Sequence, residues 1–89
     1  MPDRYALHAA YPNPFNPATT IRFSTPGRGA VRLPVYDMLG REVAVLVDRT
    51  FSAGQHTVTF DASGLPNGVL LYRLEAGEFE ATRKMLLLK

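Results

Sequence analysis

Histidine, serine and carboxylate side chains are the groups in this chain that could do chemistry, and their spacing assembles none of the common sites. His8 and His56 are the two histidines available to a triad or a metal. His56 shares the apolar face of a strand pattern with Val58 and Phe60, where a half-buried histidine satisfied by a neighbour is the expectation. Two histidines without a carboxylate cluster make a poor zinc site, and with no cysteine there is neither a disulfide framework nor a thiolate site. Asp37 and Asp61 could suggest calcium, but no aspartate-rich loop of oxygen ligands surrounds either. No glycine-rich phosphate loop is present. The chemistry points away from catalysis, and no cofactor or metal is expected.

The segment Arg83-Lys84-Met85-Leu86-Leu87-Leu88-Lys89 is the strongest candidate for recognition. Four consecutive apolar residues between cations exceed what a strand with one wet face requires. A strand of that kind is a template for pairing with a partner.

The elements that must position this tail are strands. Ile21 and Phe23 alternate with Thr20, Arg22 and Ser24; Val31, Leu33 and Val35 with Arg32, Pro34 and Tyr36; His56, Val58 and Phe60 with Gln55, Thr57 and Thr59. Period-two alternation marks strands with one face on a core. Val43–Val47 and Val69–Leu74 are more continuously apolar than these, as expected of strands covered on both sides or near a sheet centre. Pro34 lacks a ladder donor, so its position is expected at an edge or a bulge. Tyr36 and Tyr72 are the aromatics assigned to an outward face, the minimum a sugar platform would need.

The connections are equally legible. Asp37-Met38-Leu39-Gly40 and Asp61-Ala62-Ser63-Gly64 share a design in which the aspartate accepts a backbone N–H and glycine supplies a positive φ. Leu65-Pro66-Asn67-Gly68 is a further turn. Tyr11-Pro12-Asn13-Pro14-Phe15-Asn16-Pro17 admits neither helix nor central strand, because each proline fixes φ and removes a donor. Tyr11 and Phe15 give it two apolar anchors, so it reads as a stiff crossover pinned to the core. Seven strands are expected, near 5–10, 18–25, 29–37, 41–48, 54–61, 68–76 and 79–88. Together they predict an all-β, seven-stranded antiparallel immunoglobulin-like β-sandwich.

At 89 residues the chain is one small domain, with 46% hydrophobic and 20% charged residues in ordinary globular proportion. A net charge of +2 comes from arginines dispersed among carboxylates, which predicts a solvated surface and no nucleic-acid partner. No apolar run reaches 18 residues, so no transmembrane segment is expected. Met1-Pro2-Asp3-Arg4 is no signal peptide and reads as a boundary cut from something longer. Residues 1–7 are accordingly expected to be a linker or boundary and 8–89 the folded domain.

Four stretches in order, Tyr11–Pro17, Tyr36–Val43, Gly64–Gly68 and Arg83–Lys89, resemble the C-terminal sorting domain (type A) of the bacterial type IX secretion system over about residues 8–89. The resemblance implies a sandwich at the C-terminus of proteins of Bacteroidetes-type bacteria. Cargo would reach the periplasm by the general secretory route and meet an outer-membrane translocon. A sortase-like peptidase would then remove the domain, leaving the upstream cargo secreted or attached to surface lipopolysaccharide. Recognition in the family maps to the last strands, here Gly68 to Lys89, with Lys84, Met85, Leu86, Leu87, Leu88 and Lys89 the implied positions. Pro12, Asn13, Pro14, Asp37, Gly40, Asp61, Gly64 and Asn67 would be structural turns. An end at Lys89 fits a native C-terminus on this reading. Leu70, where the family usually carries an aromatic, and Pro34, where a polar strand residue is usual, depart from the pattern. The alternative class is a structural spacer like the related immunoglobulin-like domain of the flagellar hook-capping protein, or a carbohydrate-binding module. An open sheet edge would allow a homodimer.

Overall fold

The computed structural model describes residues 4–89 and contains seven strands: β1 (Ala6–Leu7), β2 (Ala18–Thr25), β3 (Gly29–Tyr36), β4 (Glu42–Phe51), β5 (Gly54–Asp61), β6 (Gly68–Ala76) and β7 (Phe79–Leu87). They form a three-stranded sheet in the order β1-β2-β5 and a four-stranded sheet in the order β4-β3-β6-β7, with every strand pairing antiparallel. The inward residues of the alternating patterns build the core: Ile21, Phe23 and Phe60 from one sheet, and Val31, Leu33, Val35, Leu70, Tyr72, Leu74, Met85 and Leu87 from the other. Burying side chains of this size stabilises by about 1.5–3 kcal/mol each before entropy is counted. Among the described residues no buried side-chain nitrogen or oxygen lacks a partner.

Residues 5–17 close one side of the sandwich by passing from one sheet to the other. Ala6 and Leu7 pair with Ser24 and Phe23 of β2, the Tyr11 N–H and carbonyl exchange hydrogen bonds with Thr20, and Phe15 then pairs in parallel with Leu87 of β7. The first strand is two residues long instead of spanning 5–10, because the register against β2 slips by one residue between the Leu7–Phe23 and Tyr11–Thr20 pairs and interrupts the ladder. Tyr5 stacks on Phe79 at 5.0 Å and Leu7 is buried, so the expected linker 1–7 gives up at least these residues to the fold. Residues 1–3 of that linker lie outside the described residues.

Several expectations are corrected. Tyr11 is 77% exposed, leaving Phe15, at 2%, as the segment's one apolar anchor. The paired residue at Tyr11 is held through its backbone, which does not require its ring to turn inward. Tyr72 is fully buried and not outward, since Arg73 and Glu75 on the opposite parity take the wet face of β6. The apolar run of β4 lies on an edge strand, half-buried, with Val45 42% exposed, whereas that of β6 lies centrally as expected.

Pro34 sits in an inner strand of the sheet, beside a bulge. Between Arg32 and Pro34 the β4 partner moves from Asp48 to Val45, and the β3–β6 pairing registers Val31, Arg32, Val35 and Tyr36 while skipping Leu33 and Pro34. The missing donor falls where the ladder is already interrupted. A second shift between Val35 and Tyr36 and the exposed Glu42 and Asp48 blunt the β4 edge against pairing with another chain.

Candidate functional site

β7 carries the candidate residues along the sheet edge opposite β4. Its pairing with β6 sets Gly68 against Leu87, Val69 against Leu86, Leu70 against Met85 and Leu71 against Lys84. Alternation then sorts the tail into two faces. Met85 (1% exposed) and Leu87 (0%) enter the core, while Lys84, the half-buried Leu86 and Leu88 (50% exposed) face away from it. The apolar run is thus half core and half surface. Among the described residues Lys84 takes part in no ion pair shown by the structure.

The outer edge of β7 is occupied by the proline-rich crossover. The Phe15 N–H donates to the Leu86 carbonyl at 2.9 Å, and the Leu88 N–H donates to the Phe15 carbonyl at 3.0 Å. Asn13 extends this seam with its side chain: Oδ1 accepts the Leu86 N–H at 2.9 Å and Nδ2 reaches the Lys84 carbonyl at 3.5 Å. Arg83 Nε donates to the Leu7 carbonyl at 2.7 Å. Fixed φ at the prolines leaves the amides between them free to point at β7, and proline's own missing donor costs nothing at a rim. Pro12 contributes a carbonyl that accepts the hydroxyl of buried Thr19 at 2.7 Å, and Pro14 is exposed between Asn13 and Phe15.

Tyr72 fastens the crossover from beneath. Its hydroxyl donates to the His8 carbonyl at 2.8 Å and accepts the Ala10 N–H at 2.9 Å. Burial pushes this phenol above its ordinary pKa.

The end of the tail is tied to the β5–β6 loop. Asn67 Oδ1 accepts the Lys89 N–H at 2.9 Å, and the Lys89 ammonium donates to the carbonyls of Ser63 and Leu65. Asp61 opens this loop by accepting the Ser63 N–H at 2.9 Å, a bond that lowers its carboxyl below the ordinary range. Gly64 does not adopt the expected positive φ; among the described glycines that conformation belongs to Gly40 (82°), Gly54 (137°), Gly68 (146°) and Gly77 (59°). The loop continues through Leu65 and Pro66, so its reversal need not be completed at Gly64.

Asp37 organises the remaining turn. Oδ1 accepts the N–H groups of Leu39 (2.9 Å) and Arg41 (3.0 Å), and Oδ2 accepts Arg41 Nε at 2.7 Å. The Arg41 backbone bond is the largest cause of a carboxyl held below its ordinary range. Met38 (66% exposed) and Leu39 (78%) project from the turn beside a groove of about 300 Å³, whose far wall includes Leu65, Pro66 and Val69. Segments scattered between residues 11 and 89 therefore converge on one end of the sandwich.

Among the described residues neither histidine ring is hydrogen-bonded to a carboxylate or a hydroxyl. His56 Nε2 lies 2.8 Å from the Ser52 carbonyl, with its ring against Phe23 and Phe51. Among the described residues no three His, Cys, Asp or Glu side chains gather around a metal position. Arg22 lies on β2, while Arg32 and Arg73 lie in the other sheet facing Glu42, Glu75 and Glu80, so these three form no shared basic strip. No helix among the described residues is long and apolar enough to cross a membrane.

Two sheets closed by an N-terminal segment that passes from β2 to β7, with a final strand clamped at one end, define an immunoglobulin-like β-sandwich built around its tail. The family model of the secretion system C-terminal sorting domain matches residues 9–88, and the chain belongs to that family. Membership makes it a type IX secretion sorting signal, acting with the type IX machinery, and implies export through the periplasm to the cell surface or the medium. Comparison with curated proteins and with solved structures gives no match.

Tail recognition was assigned from sequence to 84–89 and Gly68. Asn13, Phe15 and Ser63, which bond to those residues, and Tyr72, which ties down the crossover through His8 and Ala10, were not. Asparagine between prolines was a usable signal, since a side chain that can both donate and accept is well suited to an edge that prolines cannot serve.

Proposed function

We propose that this domain is a non-catalytic signal that takes an upstream cargo from the periplasm through the outer-membrane type IX translocon, and that a sortase-like peptidase then removes it for release or surface attachment. The observation that carries the reading is the family match, which runs from the proline-rich crossover to the last strand. Recognition uses the folded end of the sandwich. Lys84, Leu86, Leu88 and Lys89 supply its contact face, while Gly68, Met85 and Leu87 keep β7 in register. Burial of Met85 and Leu87 supports this division, because a linear reading of all six tail residues would require pulling both out of the core. The linker to cargo lies upstream of Tyr5.

A fluorescent cargo carrying a signal peptide and this domain should reach the surface of a competent host, and deletion of 84–89 should leave it in the periplasm. Because that deletion removes core side chains, Lys84→Glu and Leu88→Ser serve as variants confined to the exposed face. Both should reduce surface delivery with thermal stability near wild type. Export that survives the deletion refutes the sorting assignment; loss with the deletion alone refutes recognition through the folded face.

A further inference from the structure

We propose that Asn67 is a site of spontaneous covalent modification, in which its side-chain amide is lost through a cyclic imide formed with the backbone nitrogen of Gly68, and that the isoaspartyl product of this reaction loosens the tie between the β5–β6 loop and the tail. Asparagine occurs at positions 13, 16 and 67. Asn13 and Asn16 precede prolines, whose backbone nitrogen carries no proton to lose and cannot close the ring. Asn67 precedes glycine, which offers the least hindered nitrogen of any residue.

The local structure favours the attack. Asn67 is exposed and lies in a bend just before β6. Nothing lies within 4 Å of the position a Cβ would take on Gly68, so no tertiary neighbour crowds that side of the residue that supplies the nitrogen. The carbonyl under attack is already polarised, because Asn67 Oδ1 accepts the Lys89 N–H at 2.9 Å. As the nitrogen adds, negative charge develops on that oxygen, and the same N–H is aimed at it. The Lys89 ammonium is held nearby on the carbonyls of Ser63 and Leu65.

The steps balance. A base from water removes the Gly68 amide proton, the nitrogen bonds to Asn67 Cγ, and the Cγ–Nδ2 bond breaks with release of ammonia. One water then opens the imide at either carbonyl. Opening at one side gives aspartate, which keeps an acceptor for Lys89 and adds charge. Opening at the other gives isoaspartate, which inserts a methylene into the main chain directly before the Gly68–Leu87 pair. The second product cannot keep both the strand register and the Lys89 bond. Any effect on export rests on the reading of the tail above; the chemistry does not.

The purified domain is aged in warm, mildly alkaline buffer, digested, and mapped by mass spectrometry with isoaspartyl methyltransferase labelling. The mass gain of one amide-to-acid conversion is expected in the peptide containing Asn67 and not in that containing Asn13 and Asn16. Asn67→Gln, which needs a larger ring, should lose the gain. Carboxypeptidase should release Leu88 and Lys89 faster from the aged wild type than from aged Asn67→Gln. An aged wild type without the gain at Asn67, or an equal gain with Asn67→Gln, overturns the site. A gain with unchanged carboxypeptidase release overturns its link to the tail.

Discussion

Replacing Tyr72 with phenylalanine should cost about 2–4 kcal/mol, a large effect for the loss of one oxygen. The ring is fully buried and phenylalanine keeps its shape, so no cavity is created. Two bonds go with the hydroxyl: the donation to the His8 carbonyl at 2.8 Å and the acceptance from the Ala10 N–H at 2.9 Å. His8 is exposed, so its carbonyl can turn to water at a cost of about 1 kcal/mol. Ala10 is 4% exposed, and its stranded N–H carries the larger penalty of about 1–3 kcal/mol. For a domain of this size each kcal/mol lowers Tm by roughly 4–8 °C. Urea titration followed by circular dichroism should show a lower midpoint with an unchanged slope, and hydrogen exchange should show the Ala10 amide losing protection. Because burial raises the phenol's pKa, the folded state favours the protonated form. That stability is fully present below about pH 10 and is lost as the pH rises beyond it, so the variant should lack this alkaline loss. A cost below about 0.5 kcal/mol, with Ala10 still protected, would refute the tyrosine as the fastener of the crossover.

Asn13→Ala removes the acceptor for the Leu86 N–H and should cost about 0.5–1.5 kcal/mol, read by denaturation, with faster exchange concentrated at the Leu86 amide. Asp37, whose carboxyl is lowered chiefly by the Arg41 backbone bond, contributes stability that is present above about pH 4 and lost as the pH falls through its folded value. The stability difference between wild type and Asp37→Ala should therefore shrink on acidification, measured as Tm against pH.

Most of the strand plan was legible because strand identity is a local property. Alternation at Thr20–Ser24, Val31–Tyr36 and Gln55–Phe60 declares a half-buried strand whatever it pairs with. The Asp37 turn was legible for the same reason, since its aspartate, its donors and Gly40 lie within five consecutive residues. Where alternation was absent, the face and the position in the sheet stayed open. Val43–Val47 and Val69–Leu74 look alike as strings, yet one became an edge and the other an inner strand. Arg73 and Glu75 did contain the parity that buries Tyr72. Tyr11 misled because an aromatic beside prolines resembles an anchor, while its backbone was what the fold used.

Composition, turn chemistry and the ordered motifs determined the sandwich, the family and the tail as its candidate signal, all of which are written in short-range patterns. Only the tertiary structure decided that the crossover and the β5–β6 loop grip that tail. Asn13 and Leu86 are 73 residues apart, and Asn67 and Lys89 are 22 apart. Pairings across such distances are set when two sheets close over one core, a condition that no local pattern encodes.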